Sequence, residues 1–127
     1  MEWKIKKQVD MSYEEAIEKV KIELKKEGFG VLTTIDVKAK LKEKLNVDFD
    51  NYIILGACNP LMAHKALSVE RDIGVFLPCN VVIYDMGGNT FVTAINPGPT
   101  MSVVKNKDLD CVADEVEEKL KKVINRI

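Results

Sequence analysis

The chain has 127 residues, 46% of them apolar and 31% charged, which is the composition of a folded domain and not of a disordered chain. This length is close to the commonest size of a domain, so we expect a single domain over residues 1–127. The 19 basic and 20 acidic side chains give a net charge of -1, so no basic excess is available to bind nucleic acid or an anionic membrane, and neither partner is expected.

The chain shows no signal that would take it into or across a membrane. Residues 1–6 lack the apolar core of a secretory signal, and no apolar run reaches the roughly 18 residues of a membrane-spanning helix. The 3 cysteines are odd in number and widely spaced, which argues against a disulfide framework. We therefore expect a cytoplasmic protein with free cysteines.

The first part of the chain is predicted to form a strand, a helix and a second strand. Side chains alternate between apolar and polar over residues 2–9, which predicts a half-buried strand. Ser12 and Glu15 form a capping box at the start of a helix, and Gly28 provides its left-handed end. Residues 29–35 alternate again and are predicted to be the second strand.

The central part is predicted to contain a buried strand between two short helices. Asp36 can cap a helix over residues 37–46. The uninterrupted β-branched and aromatic run at 52–55 predicts a strand that is covered on both faces. Asn59 is a strong helix cap, and Pro60 suits the first helical position, so a third helix is expected to begin there.

The last part is predicted to form strands and a long helix. Residues 73–77 and 80–86 are strand-like, and Pro78 between them indicates a bulge, a bend or an edge. A glycine turn leads to a returning strand at 90–95, and Pro97-Gly98-Pro99 is expected to break regular structure.

An apolar stripe over residues 109–127 then predicts a long C-terminal helix. The order of elements, β-α-β-α-β-α-β-β-β-α, predicts an α+β fold. In this fold, the two long helices pack on one face of a mainly antiparallel sheet.

Two short segments contain the residues that are most typical of a functional site. The first segment is Gly56–Leu67, which contains Cys58, Asn59, Pro60 and His64, and the second is Gly74–Val81, which contains Pro78, Cys79 and Asn80. Each segment lies where a predicted strand ends or bends, and side chains at such positions are often exposed to a pocket.

In these segments the chain resembles a widespread, uncharacterised prokaryotic family called domain of unknown function 302. The residues that carry the resemblance are "ACNP…AHKAL" and "G…LPCNVV", with weaker agreement in "GFGVLTTIDV" at 28–37. The resemblance implies an α+β arrangement similar to that of the TATA-binding protein, and homodimers. It implies no activity, and the cofactor stays unknown.

The two cysteines of these segments each have a functional and a structural interpretation. Cys58 precedes a helix cap, where the helix dipole would favour its thiolate, and Cys79 follows a proline bend that could aim it towards a pocket. The alternative for both is a small buried cysteine that serves packing, which is common.

His64 is the only histidine of the chain. With Cys58 and Cys79 it would supply three ligands for zinc or copper, and the fourth would come from Asp36, Asp85, water or another subunit. As a Cys–His pair, the same residues would support nucleophilic chemistry. The alternative is a solvated or capping histidine.

The remaining motif residues have mainly structural interpretations. Asn59 and Pro60 are accounted for by the helix start, and Pro78 by the bend. Asn80 is expected either to cap a backbone group beside Pro78 or to donate a hydrogen bond to a ligand. Cys111 is expected to be a surface thiol.

Three hypotheses for the function follow from these features. The first is a small homodimeric domain that binds a metal ion or small ligand near Cys58, His64 and Cys79. The second is a structural or interaction module without a ligand. The third is a thiol-dependent redox or nucleophilic enzyme, so whether the chain is an enzyme stays open at this point.

Overall fold

The computed structural model describes residues 2–127 as alternating strands and helices. In chain order these are β1 (Lys4–Val9), α1 (Tyr13–Lys26), β2 (Gly30–Asp36), α2 (Val37–Leu45), β3 (Tyr52–Cys58), α3 (Pro60–Val69), β4 (Cys79–Met86), β5 (Asn89–Ile95), α4 (Pro97–Met101) and α5 (Lys107–Asn125). Short 3-10 helices at Arg71–Phe76 and Ser102–Val104 connect α3 to β4 and α4 to α5.

The five strands form one sheet in the order β1-β5-β4-β3-β2, and every neighbouring pair is antiparallel. The long helices α1 and α5 contact each other and lie against β1, β4 and β5. The predicted α+β fold with two long helices on one face of an antiparallel sheet is therefore confirmed.

Local sequence signals set the helix boundaries as predicted. The amide of Glu15 donates to the Ser12 hydroxyl over 3.1 Å at the start of α1. Just beyond the C-terminal end of α1, Gly28 has a φ of +83°, a left-handed conformation that glycine adopts without steric cost. At α2, the amide of Ala39 donates to the Asp36 carboxylate over 3.0 Å.

The core lies between the sheet and the helices. Leu55, Val81 and Val92 point from β3, β4 and β5 towards the helices and are fully buried. Leu24 of α1 and Leu120 of α5 are fully buried on the opposite side of this layer. Burying one such side chain contributes about 1.5–3 kcal/mol, so this layer holds the helices on the sheet.

The other face of the sheet carries no comparable layer of buried side chains. We call it the open face, and on its three central strands it consists of Tyr52, Ile54, Gly56, Asn80, Val82, Tyr84, Phe91, Thr93 and Ile95. Of these, only Gly56 is buried. Within a single chain, the prediction that residues 52–55 form a strand covered on both faces is therefore wrong.

Two further local predictions are wrong. The stretch predicted to be a strand at 73–77 lies mostly in a 3-10 helix. Only Ile73 is buried there, and Val75 is 85% exposed. Pro97-Gly98-Pro99 starts α4 and does not break regular structure, since Pro97 occupies a first-turn position whose missing amide would have no helical partner.

The structure also addresses membrane insertion by helices. Among residues 2–127, no helix is both long enough and apolar enough to cross a membrane.

Candidate functional site

The pairing of β3 with β4 brings Cys58 and Cys79 to the same end of the sheet. Cys79 is the first residue of β4 and pairs with Ala57, so it lies one position out of register from Cys58, the last residue of β3. Adjacent strands lie about 4.8 Å apart and rise about 3.4 Å per residue, so this offset places the two Cα atoms about 6 Å apart.

Asn59 fixes the turn from β3 into α3. Its Oδ1 accepts a hydrogen bond from the amide of Met62 over 3.3 Å, and its Nδ2 donates to the carbonyl of Glu27 over 3.2 Å. The second bond ties the start of α3 to the end of α1. The prediction that Asn59 is a helix cap is correct, and the side chain also forms this long-range link.

The bend before β4 packs on β3 through Gly56. The Leu77–Pro78 peptide bond is cis, and the Pro78 ring would lie 2.8 Å from a Cβ on Gly56. Thr33 Oγ1 of β2 occupies the same space. Because glycine has no side chain, Pro78 and Thr33 can both approach the β3 backbone here. This contact fixes the position of Cys79, the first residue of β4.

A small cavity of about 30 Å³ lies behind this bend. Its wall consists of side chains from the ends of β3 and β4, from α3, and from α4 and α5, and it is apolar apart from Asn59. The residues of the wall are Phe29, Ala57, Cys58, Asn59, Met62, Ala63, Ala66, Leu77, Pro78, Cys79, Met101, Val112 and Val116.

Burial controls the chemistry of Cys79. Burial first, and the nearby Cys58 second, raise the pKa of the Cys79 thiol from 9.0 to about 11. Cys79 therefore carries its proton at neutral pH and is a poor nucleophile in that form. Cys58 is less buried than Cys79, whereas Cys111 is exposed on α5 as predicted.

The other two predicted ligand residues, His64 and Asn80, do not join the two cysteines in the wall of the cavity. His64 is exposed on α3, where its backbone carbonyl accepts a hydrogen bond from Ser68 over 2.7 Å. Asn80 is exposed on the open face beside Gly56. Within residues 2–127, no three His, Cys, Asp or Glu side chains are grouped so that they could hold a metal ion. This arrangement does not support a metal site made of Cys58, His64 and Cys79.

Two residues of the cavity were missed by the sequence analysis. Met62 of α3 and Met101 of α4 are 4% and 6% exposed and lie in the same wall as the two cysteines. The sequence could have suggested Met62, because it lies three residues after the Asn59 cap and Cys58 lies directly before that cap. Nothing in the sequence around Met101 indicates that α4 closes this cavity.

Comparisons with other proteins agree with this fold. The family described as "Domain of unknown function DUF302" matches residues 5–127. The crystal structure of an uncharacterized conserved protein DUF302 from Bacillus stearothermophilus is similar, with 33% sequence identity and a TM-score of 0.92 over 98% of this chain and 97% of that chain. No curated protein matches the chain. The resemblance indicated by the two motif segments is therefore confirmed over almost the whole length.

Proposed function

Because the chain belongs to the DUF302 family, whose description carries no activity, we propose its function from its own cavity: the protein is a small binding domain that holds a ligand beside Cys58 and Cys79. The observation that carries this proposal is that both cysteines are among the residues that line one apolar cavity at the end of the sheet. We propose that a ligand in this cavity contacts both sulfur atoms.

The size of the cavity limits the ligand to an ion or a molecule of very few atoms. Pockets for drug-sized ligands measure roughly 300–1,000 Å³. The cavity here measures about 30 Å³, and on this measure one water molecule needs about 10–15 Å³, so about two or three water molecules would fill it. A substrate of ordinary metabolite size does not fit in this cavity.

The thiol-enzyme hypothesis receives less support from the same geometry. Nucleophilic cysteines are activated by an adjacent base or by a lowered pKa. Here His64 lies outside the cavity wall, and the pKa of Cys79 is raised instead of lowered. A binding role agrees better with a thiol that keeps its proton until a ligand displaces it.

Native mass spectrometry of the purified protein tests the binding proposal. We expect the wild type to carry extra mass from a bound ion or small molecule, and the Cys58→Ser and Cys79→Ser variants to lose it. Cys111→Ser is the matched control, because this thiol is exposed and Cys111 is not one of the residues of the cavity wall, so the variant should keep the mass. Bound mass that is unchanged in both cavity variants would contradict the proposal.

A second proposal concerns the open face, which we propose is covered by a second copy of the chain. The rings of Tyr52, Tyr84 and Phe91 stack across three strands, with centroid distances of 5.4 and 5.2 Å. Beside this row, Ile54 and Val82 form a second, aliphatic row. Lys6 Nζ lies over the Phe91 and Tyr84 rings, 4.8 and 5.5 Å from their centroids, and the rest of this patch is apolar. An apolar patch of this kind is typical of a surface that binds another protein.

The edge of the sheet formed by β2, with α2 and the loop that leads to β3, also lacks intramolecular cover. Helix α2 has no buried residue, and the neighbouring side chains Leu32, Leu45 and Phe49 are 67%, 66% and 44% exposed. An isologous dimer places the same patch on both sides of its interface, so an apolar face finds an apolar partner in its own copy. This reasoning favours a homodimer over an unrelated partner.

A further inference from the structure

We infer that the ligand of the cavity is a soft monovalent metal ion, with Cu(I) as the biological example, and that only sulfur atoms hold it. The sulfur-bearing residues of the wall are Cys58, Met62, Cys79 and Met101. This inference rests on the proposed binding function and adds the chemical class of the ligand and two ligating residues.

Four different elements contribute these residues to the wall of one cavity. Cys58 ends β3 and Cys79 begins β4, whereas Met62 lies in the first turn of α3 and Met101 is the last residue of α4. The chain has 3 cysteines and 5 methionines in all. Half of these eight residues line a single cavity of about 30 Å³, although they are far apart in sequence.

The composition of the wall selects against the harder metals. Zinc is held by cysteine, histidine and carboxylate ligands, usually four of them. The wall supplies two cysteines and no histidine or carboxylate, and the Asn59 side chain already bonds to Met62 and Glu27. Thioethers are soft ligands that favour Cu(I), so the two methionines can complete a copper site but not a zinc site.

The charges also suit a monovalent ion. When Cu(I) binds, two S–H bonds break, two Cu–S bonds form, and two protons leave to the solvent without any change of oxidation state. The thiolates and the ion together carry one negative charge, and the thioethers add ligation without adding charge. Cys58 lies next to the cap of α3, where the positive end of the helix dipole stabilises a negative group.

Anaerobic competition for Cu(I) against bicinchoninate tests this inference. We expect the wild type to bind one equivalent, and Met62→Leu and Met101→Leu each to weaken binding by at least about tenfold. Leucine keeps the apolar volume, so the fold should be retained, and thermal unfolding of the metal-free variants checks this. Met86→Leu is the matched control, because Met86 is 57% exposed on β4, and its affinity should equal that of the wild type.

The outcomes separate this inference from the proposed function. Cu(I) affinity that is unchanged in folded Met62→Leu and Met101→Leu would overturn the four-sulfur site but leave binding by the two thiols intact. Preference for zinc over Cu(I) would overturn the choice of ion in the same way. Cu(I) affinity that is unchanged in Cys58→Ser and Cys79→Ser would overturn both proposals, because the metal would then bind elsewhere. X-ray absorption at the copper edge should show a shell of sulfur only, and nitrogen or oxygen ligands would contradict the inference.

Discussion

The side-chain amide of Asn59 makes two hydrogen bonds. Its oxygen caps the start of α3, and its nitrogen donates to the carbonyl of Glu27 at the end of α1. The cap alone could be predicted from the sequence, because Asn before Pro is a local signal. The bond from Nδ2 to the Glu27 carbonyl could not, since it exists only after β2 has paired with β3 and brought these two turns together.

Substitution of Asn59 should separate these two roles. Asn59→Ala removes both hydrogen bonds and should lower the free energy of unfolding by about 1–3 kcal/mol. Asn59→Asp keeps the cap acceptor and loses the donor to Glu27, so its loss should be smaller. Ser68→Ala removes a bond on the exposed side of α3 and should change little. Urea unfolding measures all three, and equal losses for Asn59→Ala and Ser68→Ala would contradict this account.

The raised pKa of Cys79 predicts a loss of stability at alkaline pH. The folded protein holds this proton up to about pH 11, whereas the unfolded chain releases it near pH 9.0. The stabilising contribution is therefore complete below about pH 9 and disappears as the pH rises towards 11. It amounts to about 2–3 kcal/mol.

Unfolding of the metal-free protein between pH 8 and pH 11 measures this contribution. We expect Cys79→Ala to show a shallower decline of stability with pH than the wild type, because the buried thiol is gone. Cys111→Ala should decline as the wild type does, since Cys111 is exposed. Identical slopes for all three proteins would show that Cys79 ionises in the folded state as freely as in the unfolded chain.

At the scale of elements, the contact between β3 and the bend before β4 depends on one glycine. A Cβ on Gly56 would lie 2.8 Å from the Pro78 ring and would collide with Thr33 Oγ1. Gly56→Ala should therefore displace the bend and lower the free energy of unfolding by about 1–3 kcal/mol. It should also weaken ligand binding at Cys79.

Gly30→Ala is the matched control for this substitution. Gly30 lies at the start of β2 and pairs with Cys58, and a Cβ there would meet no atom within 4 Å. Thermal unfolding should show a clear loss for Gly56→Ala and almost none for Gly30→Ala. Equal melting temperatures for the two variants would contradict the role given to Gly56.

Most elements could be predicted from local patterns, and two of the failures have a common physical cause. The capping signals of Ser12, Asp36 and Asn59 depend only on neighbouring residues, and the structure confirms each of them. The sequence at 73–77 has strand-like residues but no strand to pair with. The run at 52–55 is apolar on both faces, yet the fold covers only one. Pairing and cover are long-range properties that local patterns do not contain.

At the scale of the whole molecule, the open face predicts the oligomeric state. Tyr84 lies at the centre of the stacked row, between Tyr52 and Phe91. Tyr84→Lys places a charge in the proposed interface, and sedimentation equilibrium should show a monomer where the wild type is a dimer. Val75→Lys adds the same charge at a side chain that is 85% exposed on the 3-10 helix, so it should stay dimeric. A wild-type monomer, or a dimer that is unaffected by Tyr84→Lys, would contradict this interface.

The candidate site, like the fold, could be predicted only where it depends on local sequence signals. The sequence pointed to Cys58 and Cys79 because each lies at a strand end beside a residue that redirects the backbone. It could not show that His64 faces outwards, since this depends on how α3 is rotated against the sheet. It also gave no reason to join Met62 with Met101, because packing of α3, α4 and α5 brings them to one cavity.

The central claim is that Cys58 and Cys79 share one cavity, and protection of thiols by mercury(II) tests it most directly. Mercury(II) is a soft ion that can bridge two thiolates. One equivalent, followed by alkylation and peptide mapping, should protect Cys58 and Cys79 together while Cys111 is alkylated freely. Either Cys58→Ser or Cys79→Ser should abolish the protection of the remaining cavity thiol. If Cys58 and Cys79 are instead alkylated independently, or if protection requires Cys111, the two thiols do not meet at one site and the account is wrong.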